Sequence, residues 1–192
     1  MLNNLTTRLA RAGVAAVVAL AALPAAASAA QCEKVATSKV FAPIGDTNDY
    51  FLAPGGDFEG TMTWERTGPV AQRWTHPALP GAGPTGLVMG AGGTVTSPKL
   101  CADVLRPTLR FLAYAHNGHG SLRVEALEDG GKAVLLGRLA GASFASGAAT
   151  GHVSFGTVLG LALDASKHVR LRLTAESGLW AADAVYVDPY MR

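Results

Sequence analysis

The sequence predicts an all-β protein, a sandwich of two antiparallel sheets in one domain. Stretches that alternate apolar and polar residues recur at a spacing of roughly 8–12 residues, which is typical of a sandwich or barrel. Turn-forming residues separate these stretches, because the chain contains 23 Gly and 10 Pro in clusters such as residues 80–84 and 90–93. Helical periodicity is scarce, and the length of 192 residues fits a single domain.

Residues 1–30 have the layout of a secretory signal peptide. Arg8 and Arg11 precede an apolar run over residues 12–23, and small residues follow up to the end of the segment. This run is shorter than the roughly 20 residues that a membrane-spanning helix needs, and no longer apolar run comes after it. We therefore predict a secreted mature domain of residues 31–192 without a transmembrane segment. The alternative is an uncleaved N-terminal anchor.

The predicted mature domain carries no net charge. The whole chain has 16 basic and 14 acidic residues, and the leader contains Arg8 and Arg11 but no acidic residue. Loss of the leader leaves 14 residues of each sign. Because nucleic acids and anionic membranes are bound through a concentrated basic surface, the composition predicts neither of them as a partner.

The chain contains only two cysteines, Cys32 and Cys101. In an exported protein such a pair forms a disulfide more often than it stays reduced. We therefore predict a disulfide between them, closing a loop of about 70 residues, for which the chain-entropy model gives about 4 kcal/mol of stabilisation. A reactive thiol is disfavoured, because no Cys-x-x-Cys motif or cationic pair lies nearby.

The strands are predicted from the alternation and from the turns between them. We predict strands at residues 61–64, 86–89, 94–97, 108–115, 121–127, 133–139, 168–175 and 179–187, and residues 158–165 fit a helix or a strand equally well. In the strand at 168–175, Val169, Leu171 and Leu173 share one face, while Arg170 and Arg172 share the other.

His116 and His119 flank the dipeptide Asn117-Gly118. Zinc needs three or four ligands at compatible spacing, and neither a Cys pair nor an H-E-x-x-H motif is present. Asn-Gly is instead a strong signal for a tight turn between strands. We interpret the segment as a hairpin turn with exposed polar side chains.

Three segments carry a resemblance to known proteins. They are FAPIGDT and YFLAPGGDFE within residues 41–59, TSP followed by Cys101 and PTLRF within residues 96–111, and the stretch from Trp180 that ends in DAVYVDPY at residue 190. Together they resemble a group of secreted actinobacterial proteins of unknown function, over nearly the whole mature chain.

More broadly, the sequence is similar to galactose-binding-like jelly rolls, which include many carbohydrate-binding modules of glycosidases. The similarity rests on GDFE at residues 56–59, followed by Trp64, and on D-x-V-x-V at residues 183–187. It implies a two-sheet antiparallel jelly roll whose first and last strands meet. The sequence departs from the pattern at Ala184, where such modules commonly carry a second acid.

The same resemblance implies a structural calcium where the terminal strands meet. Glu59 and Asp183 would be its side-chain ligands, and backbone carbonyls near Asp57 would complete a shell of about six to eight oxygens. The alternative is that Glu59 and Asp183 only accept hydrogen bonds from backbone amides at this junction.

The sequence contains no recognisable catalytic constellation. It lacks a Gly-x-Ser-x-Gly elbow, a phosphate-binding loop and a dinucleotide fingerprint. We therefore predict a secreted, non-catalytic sandwich that binds an extracellular glycan or another ligand of the cell envelope. The alternatives are a structural protein of the matrix or envelope without a small ligand, and a polysaccharide hydrolase or lyase.

Four residues are candidates for binding such a ligand: Trp74, Tyr114, Arg110 and Arg123. Trp74 lies beside a Pro- and Gly-rich segment, where an aromatic side chain is available for stacking on a sugar or for loop packing. The two arginines fall on outward positions of their strands, together with Arg170 and Arg172. They would form a polar floor for an anionic or hydroxyl-rich ligand, or simply a solvated sheet face.

Overall fold

The computed structural model of the chain describes residues 32–74, 83–103, 108–154 and 166–188. The predicted signal peptide, residues 1–30, and the ambiguous segment at 158–165 lie outside the described residues. Within the described ranges, no helix is long and apolar enough to cross a membrane.

The described residues form thirteen strands, numbered β1 to β13 in chain order, in two sheets with antiparallel pairing throughout. The first sheet contains β1 (Phe51–Leu52), β3 (Val70–Trp74), β4 (Thr85–Met89), β7 (Thr108–Ala115), β10 (Ala148–Ala149), β11 (Val153–Ser154) and β13 (Trp180–Asp188). The second sheet contains β2 (Glu65–Thr67), β5 (Thr94–Thr96), β6 (Leu100–Asp103), β8 (Ser121–Glu128), β9 (Ala133–Ala140) and β12 (Ser166–Ser177).

Both sheets are organised around one long strand. In the first sheet β13 pairs with β7 on one side and with β4 and β1 on the other. In the second sheet β12 pairs with β8 on one side and with β5 and β6 on the other. The chain crosses repeatedly between the sheets, as in a jelly roll, so the predicted two-sheet antiparallel sandwich is confirmed.

The core lies between the sheets and follows the predicted alternation. Val169, Leu171 and Leu173 of β12 are at most 1% exposed and pack against inward residues of the first sheet, such as Phe111 and Trp180. Each fully buried side chain of this size contributes roughly 1.5–3 kcal/mol of hydrophobic stabilisation. Because side chains alternate between the two faces of a strand, the alternating sequence of β12 gives it one apolar and one polar face.

The strand predicted at residues 61–64 is wrong, because β2 begins only at Glu65. Trp64 is buried in the core, where its ring packs edge-on against Phe58 at 5.1 Å and its Nε1 donates to the Pro54 carbonyl at 2.9 Å. These tertiary contacts determine the course of the segment, although its polar and apolar residues alternate as in a strand.

The hairpin predicted at His116–Gly118 is also wrong. This segment forms a short 3-10 turn, with Asn117 at a φ of +57°, but it leads from β7 in the first sheet to β8 in the second. The Asn-Gly signal predicts a tight turn, and the turn is present. It does not determine whether the next strand pairs with the preceding one, because that depends on long-range packing.

The first and last strands meet, as the resemblance implied. Phe51 pairs with Val187 and Leu52 with Tyr186, and the Ala53 N–H donates to the Val185 carbonyl at 2.9 Å. A Cβ on the nearby Gly56 would lie 2.8 Å from that same carbonyl oxygen, so only glycine permits this approach.

The predicted disulfide between Cys32 and Cys101 is confirmed, with Cα atoms 5.5 Å apart. Cys101 lies on β6 of the second sheet, opposite His168 of β12. Cys32 lies in the N-terminal segment, whose Phe41 and Tyr50 pack onto the outer face of the first sheet. The bridge therefore ties this segment to the second sheet.

Candidate functional site

The outer face of the second sheet carries a group of arginines and glutamates that we call the arginine face. On β8 the side chains of Leu122 and Val124 point into the core, as do the apolar side chains of β12. The alternate residues of both strands therefore point outward. The arginine face consists of Arg123, Arg138, Arg170 and Arg172 with Glu65, Glu125 and Glu176. Arg123 was predicted from the sequence as a ligand-binding residue. Arg170 and Arg172 were predicted at outward positions of their strand, and both lie on this face.

Two carboxylates organise the centre of the arginine face. Glu125 is only 6% exposed, and its Oε2 accepts a hydrogen bond from Arg172 Nε at 2.8 Å, with Arg123 Nε 3.4 Å away. Glu176 accepts from Arg138 Nε at 3.2 and 3.0 Å, and its Oε1 lies 3.5 Å from Arg123 Nε. Arg123 therefore lies between two carboxylates, although its buried Nε donates to neither with hydrogen-bond geometry.

The edge of the face is held by Arg170 and Glu65. Arg170 Nη2 lies 2.6 Å from Glu65 Oε2, and its Nε donates to the Ser97 carbonyl at 3.0 Å. The hydrogen bond from Arg138 holds the pKa of Glu176 below its ordinary value. Glu176 is therefore ionised at neutral pH.

The arginine side chains of this face can donate hydrogen bonds to a ligand through their N–H groups. A guanidinium has five N–H donors and no acceptor. Arg138 and Arg172 use Nε for their carboxylate partners, and their Nη groups have no protein acceptor among the described residues. Such groups are suited to bind acceptors of a ligand, such as sugar hydroxyls or carboxylates.

Sequence reasoning missed Arg138 and the glutamates of this face. The alternation within residues 121–127 does place Arg123 and Glu125 on the polar side of β8. The contacts to Arg138 and Glu176, however, depend on the pairing of β8 with β9 and β12. Only the register of these strands brings the side chains together.

Arg110 lies elsewhere, on β7 of the first sheet, so the expectation of one floor shared with Arg123 is wrong. It belongs to a cluster that we call the N-terminal clasp, formed by Asp46, Tyr50, Arg110 and His152. Arg110 Nη1 and the Tyr50 hydroxyl both donate to Asp46 Oδ2, the hydroxyl at 2.5 Å. The hydroxyl also lies 3.0 Å from His152 Nε2.

The ion pair of the clasp is largely buried, whereas the side chain of His152 is 47% exposed. The side chains of Arg110 and Asp46 are 12% and 13% exposed, and the Arg110 guanidinium stacks over the Phe41 ring at 4.7 Å. Burial alone would raise the pKa of Asp46, but hydrogen bonds from Tyr50, Asn48 and Arg110 outweigh it and hold that pKa below its ordinary value. Burial and the hydrogen bond to Asp46 raise the pKa of Tyr50 to about 12, so this hydroxyl is protonated at neutral pH.

The change Asp46→Ala is expected to lower the free energy of unfolding by about 2 kcal/mol, because it leaves a mostly buried guanidinium without its anion. Denaturant unfolding of the purified domain measures the loss. Asp49→Ala is the matched control, since the side chain of Asp49 is 37% exposed, against 13% for Asp46, and lies 3.5 Å from the exposed Lys39. Equal losses in the two variants would contradict a buried clasp.

Tyr114 and Trp74 are placed on the first sheet. Tyr114 points outward from β7 and is half-buried, with its ring centroid 6.5 Å from that of His116. Trp74 ends β3, where it pairs with Thr85, but its side chain lies outside the described residues. The four sequence-based candidates therefore do not converge on one site.

The carboxylates predicted to hold calcium lie near the junction of the terminal strands. Asp183 of β13 is 4% exposed, and its Oδ1 accepts from the Ala184 N–H at 2.6 Å. Its Oδ2 is buried without a hydrogen-bond partner. Burial raises the pKa of Asp183 to about 7, and the negative charges of Glu59 and Asp57 add to that effect.

These residues fit a cation in part. The buried, unpartnered oxygen of Asp183 is the kind of ligand that calcium requires. Glu59, by contrast, already accepts a hydrogen bond from the Thr85 N–H at 2.8 Å, as the alternative for this residue anticipates. Within the described part of the chain, no three His, Cys, Asp or Glu side chains are grouped closely enough to hold a metal ion. Backbone carbonyls would therefore have to supply most of a calcium shell around Asp183.

The fold thus defines an antiparallel jelly-roll sandwich with one donor-rich sheet face. Comparison with solved structures finds carbohydrate-binding modules. A family 11 module from Clostridium thermocellum, in complex with a mixed-linked β-1,3-1,4 tetrasaccharide, is 14% identical, with a TM-score of 0.47 over 74% of this chain and 97% of the module. The xylan-binding module CBM15 is 9% identical, with a TM-score of 0.48 over 73% of this chain and 96% of the module.

A third structure, the CBM22-1 xylan-binding domain from Paenibacillus barcinonensis, is 12% identical, with a TM-score of 0.43 over 71% of this chain and 93% of that domain. No protein-family model matches the chain, and no curated protein matches it in sequence. At these identities and scores the likeness concerns the general architecture alone.

Proposed function

We propose that the mature chain is a secreted, non-catalytic carbohydrate-binding protein and that the arginine face binds its glycan. The observation that carries the proposal is the set of unpartnered Nη groups of Arg138 and Arg172 on an open strand surface. Polar groups that converge on one surface are what fixes a hydroxyl-rich ligand in orientation. The resemblance of the terminal-strand motifs to carbohydrate-binding jelly rolls supports the same class.

Secretion is supported by two features. Residues 1–30 have the sequence layout of a signal peptide. The disulfide between Cys32 and Cys101 belongs to an oxidising compartment, since cytosolic thiols are kept reduced. The partner we propose is therefore an extracellular glycan or a component of the cell envelope.

A structural role in the envelope is the second candidate. It is favoured by the burial of Glu125 between Arg123 and Arg172, because such a network stabilises the sheet itself without any ligand. In that case the arginine face would be a solvated ion-pair lattice. Binding measurements separate the two candidates.

We also propose a structural calcium at Asp183. The ion would supply positive charge to the buried carboxylate and join the middle of β13 to the segment around Asp57. The unpartnered Oδ2 of Asp183 supports the proposal. Calcium would act on stability and take no part in glycan contacts at the arginine face.

The test of the proposed function is a screen of the mature domain, residues 31–192, against an array of polysaccharides. We expect binding to at least one glycan, and we expect Arg138→Gln to weaken it about tenfold, because hydrogen bonds from a charged donor are worth about 1.5–3 kcal/mol. Arg138 is 52% exposed, so this change should leave the fold intact.

Lys39→Gln is the matched control, since it removes one positive charge from an exposed position of the N-terminal segment, away from the second sheet. It should leave glycan binding unchanged. Binding to none of the glycans would favour the envelope role over the proposed function. Equal weakening by both variants would contradict a site at the arginine face.

A further inference from the structure

The arginine face has an excess of positive charge within a domain that is neutral by sequence. Four arginines face three glutamates across β2, β8, β9 and β12. The excess is concentrated where Arg123 and Arg138 lie directly opposite each other on β8 and β9. Like charges in such cross-strand pairs are destabilising, and here the two arginines share the carboxylate of Glu176, which lies 3.5 Å from Arg123 Nε and 3.0 Å from Arg138 Nε.

The hydrogen bonding of the arginine face also favours an anionic ligand. Arg123 Nε is buried without a hydrogen bond, and the Nη groups of Arg138 and Arg172 have no protein acceptor in the ranges described. The unused groups of these arginines are therefore N–H donors. A hydroxyl both donates and accepts, so N–H donors satisfy only part of it, whereas a carboxylate only accepts and takes two parallel N–H bonds from one guanidinium.

Two of the three acidic residues of the arginine face are already paired with arginines that would meet an incoming anion. Glu125 is buried beneath Arg172 and Arg123, and the side chain of Glu176 is 28% exposed and bonded to Arg138. Glu65 is the exposed carboxylate, at 72%, and it lies at the β2 edge against Arg170. Glu65 is therefore the most exposed source of repulsion, and the charge of Glu176 is offset by its pairing with Arg138.

We propose that the arginine face selects glycans that carry carboxylates, that is, uronate residues, over neutral glycans of the same backbone. This inference rests on the proposed function and specifies its ligand class. The carboxylate would be bound by the guanidinium groups of Arg138 and Arg172, while ring hydroxyls would accept from the remaining N–H groups of the face.

The test compares polygalacturonate with its fully methyl-esterified form by titration calorimetry on the mature domain at neutral pH. The two probes share one backbone and differ in charge. We expect the acid form to bind at least about tenfold more tightly at about 0.01 M salt, where the screening length is about 30 Å. The advantage should shrink at about 0.15 M salt, where that length is about 8 Å.

Arg138→Gln should remove most of the preference for the acid form, and Lys39→Gln should retain it. Equal affinity for acid and ester would overturn the uronate proposal and leave glycan binding in place. Binding of neutral glycans alone on the array would also overturn the uronate proposal and leave glycan binding in place. Binding to no glycan of either class would overturn the proposed function together with this inference.

Discussion

Removal of the disulfide is expected to lower the free energy of unfolding by about 4 kcal/mol. Cys32 and Cys101 are 69 positions apart, so the bridge excludes many extended conformations of the unfolded chain. The chain-entropy model gives about 3 kcal/mol for a loop of about 15 residues and about 4.7 kcal/mol for one of about 100. Denaturant unfolding of the double variant Cys32→Ser/Cys101→Ser, compared with the oxidised mature domain, measures the loss.

The control is the unaltered domain in a strong reductant. Its stability should fall to that of the double variant, since both lack the same covalent link. The bridge also holds the N-terminal segment, which covers part of the outer face of the first sheet through Phe41 and Tyr50. A loss below about 1 kcal/mol would show that this segment is held by the N-terminal clasp and its apolar contacts instead.

Replacement of Asp183 by asparagine is expected to stabilise the metal-free domain by up to about 4 kcal/mol at about pH 8. Burial, with the charges of Glu59 and Asp57, raises the pKa of Asp183 from 3.8 to about 7. The folded domain therefore holds a proton that the unfolded chain has released between about pH 4 and pH 7. Its stability falls as pH rises through this window and stays low above it.

Unfolding in the presence of a chelator, at about pH 4 and about pH 8, measures this effect. Asparagine cannot ionise, so the advantage of Asp183→Asn should be present at the higher pH and absent at the lower one. An advantage that does not change with pH would contradict the burial of an ionising Asp183. The control Glu59→Gln removes a nearby negative charge and should reproduce only a small part of the gain.

Calcium should reverse the sign of the Asp183 effect. An ion that binds only the folded state raises the free energy of unfolding by RT ln(1 + [L]/Kd). Added calcium at about pH 8 should therefore stabilise the unaltered domain and leave Asp183→Asn unchanged. An unchanged melting temperature of the unaltered domain would contradict the calcium proposal, while the prediction for the metal-free domain would stand.

The outer faces of the two sheets differ in what covers them and in which N–H donors of the described residues remain unpaired. On the first sheet the N-terminal segment covers Leu112 and Ala184, and the clasp neutralises Arg110 with Asp46. On the second sheet the arginine face keeps N–H donors without protein acceptors among the described residues. This asymmetry is the reason that we assign ligand binding to the second sheet.

Local pattern was sufficient for several features of this protein. Alternation with a period of two predicted residues 168–175 of β12 and the faces on which their side chains lie, because successive residues of a strand point to opposite faces. The count of two cysteines, in a chain whose N-terminal sequence predicts export, predicted the disulfide. The motifs around Gly56 and Val185 predicted that the terminal strands meet, through the resemblance that they carry.

Tertiary structure decided which strands pair and therefore which side chains meet. Arg110 and Arg123 both occupy outward positions, yet one is neutralised by Asp46 on the first sheet and the other lies between Glu125 and Glu176 on the second. Alternation assigns a residue to a face, and that follows from the geometry of a single strand. The partner of that face depends on strand order and register, which are set by the free energy of packing the whole core and are not encoded in any short segment.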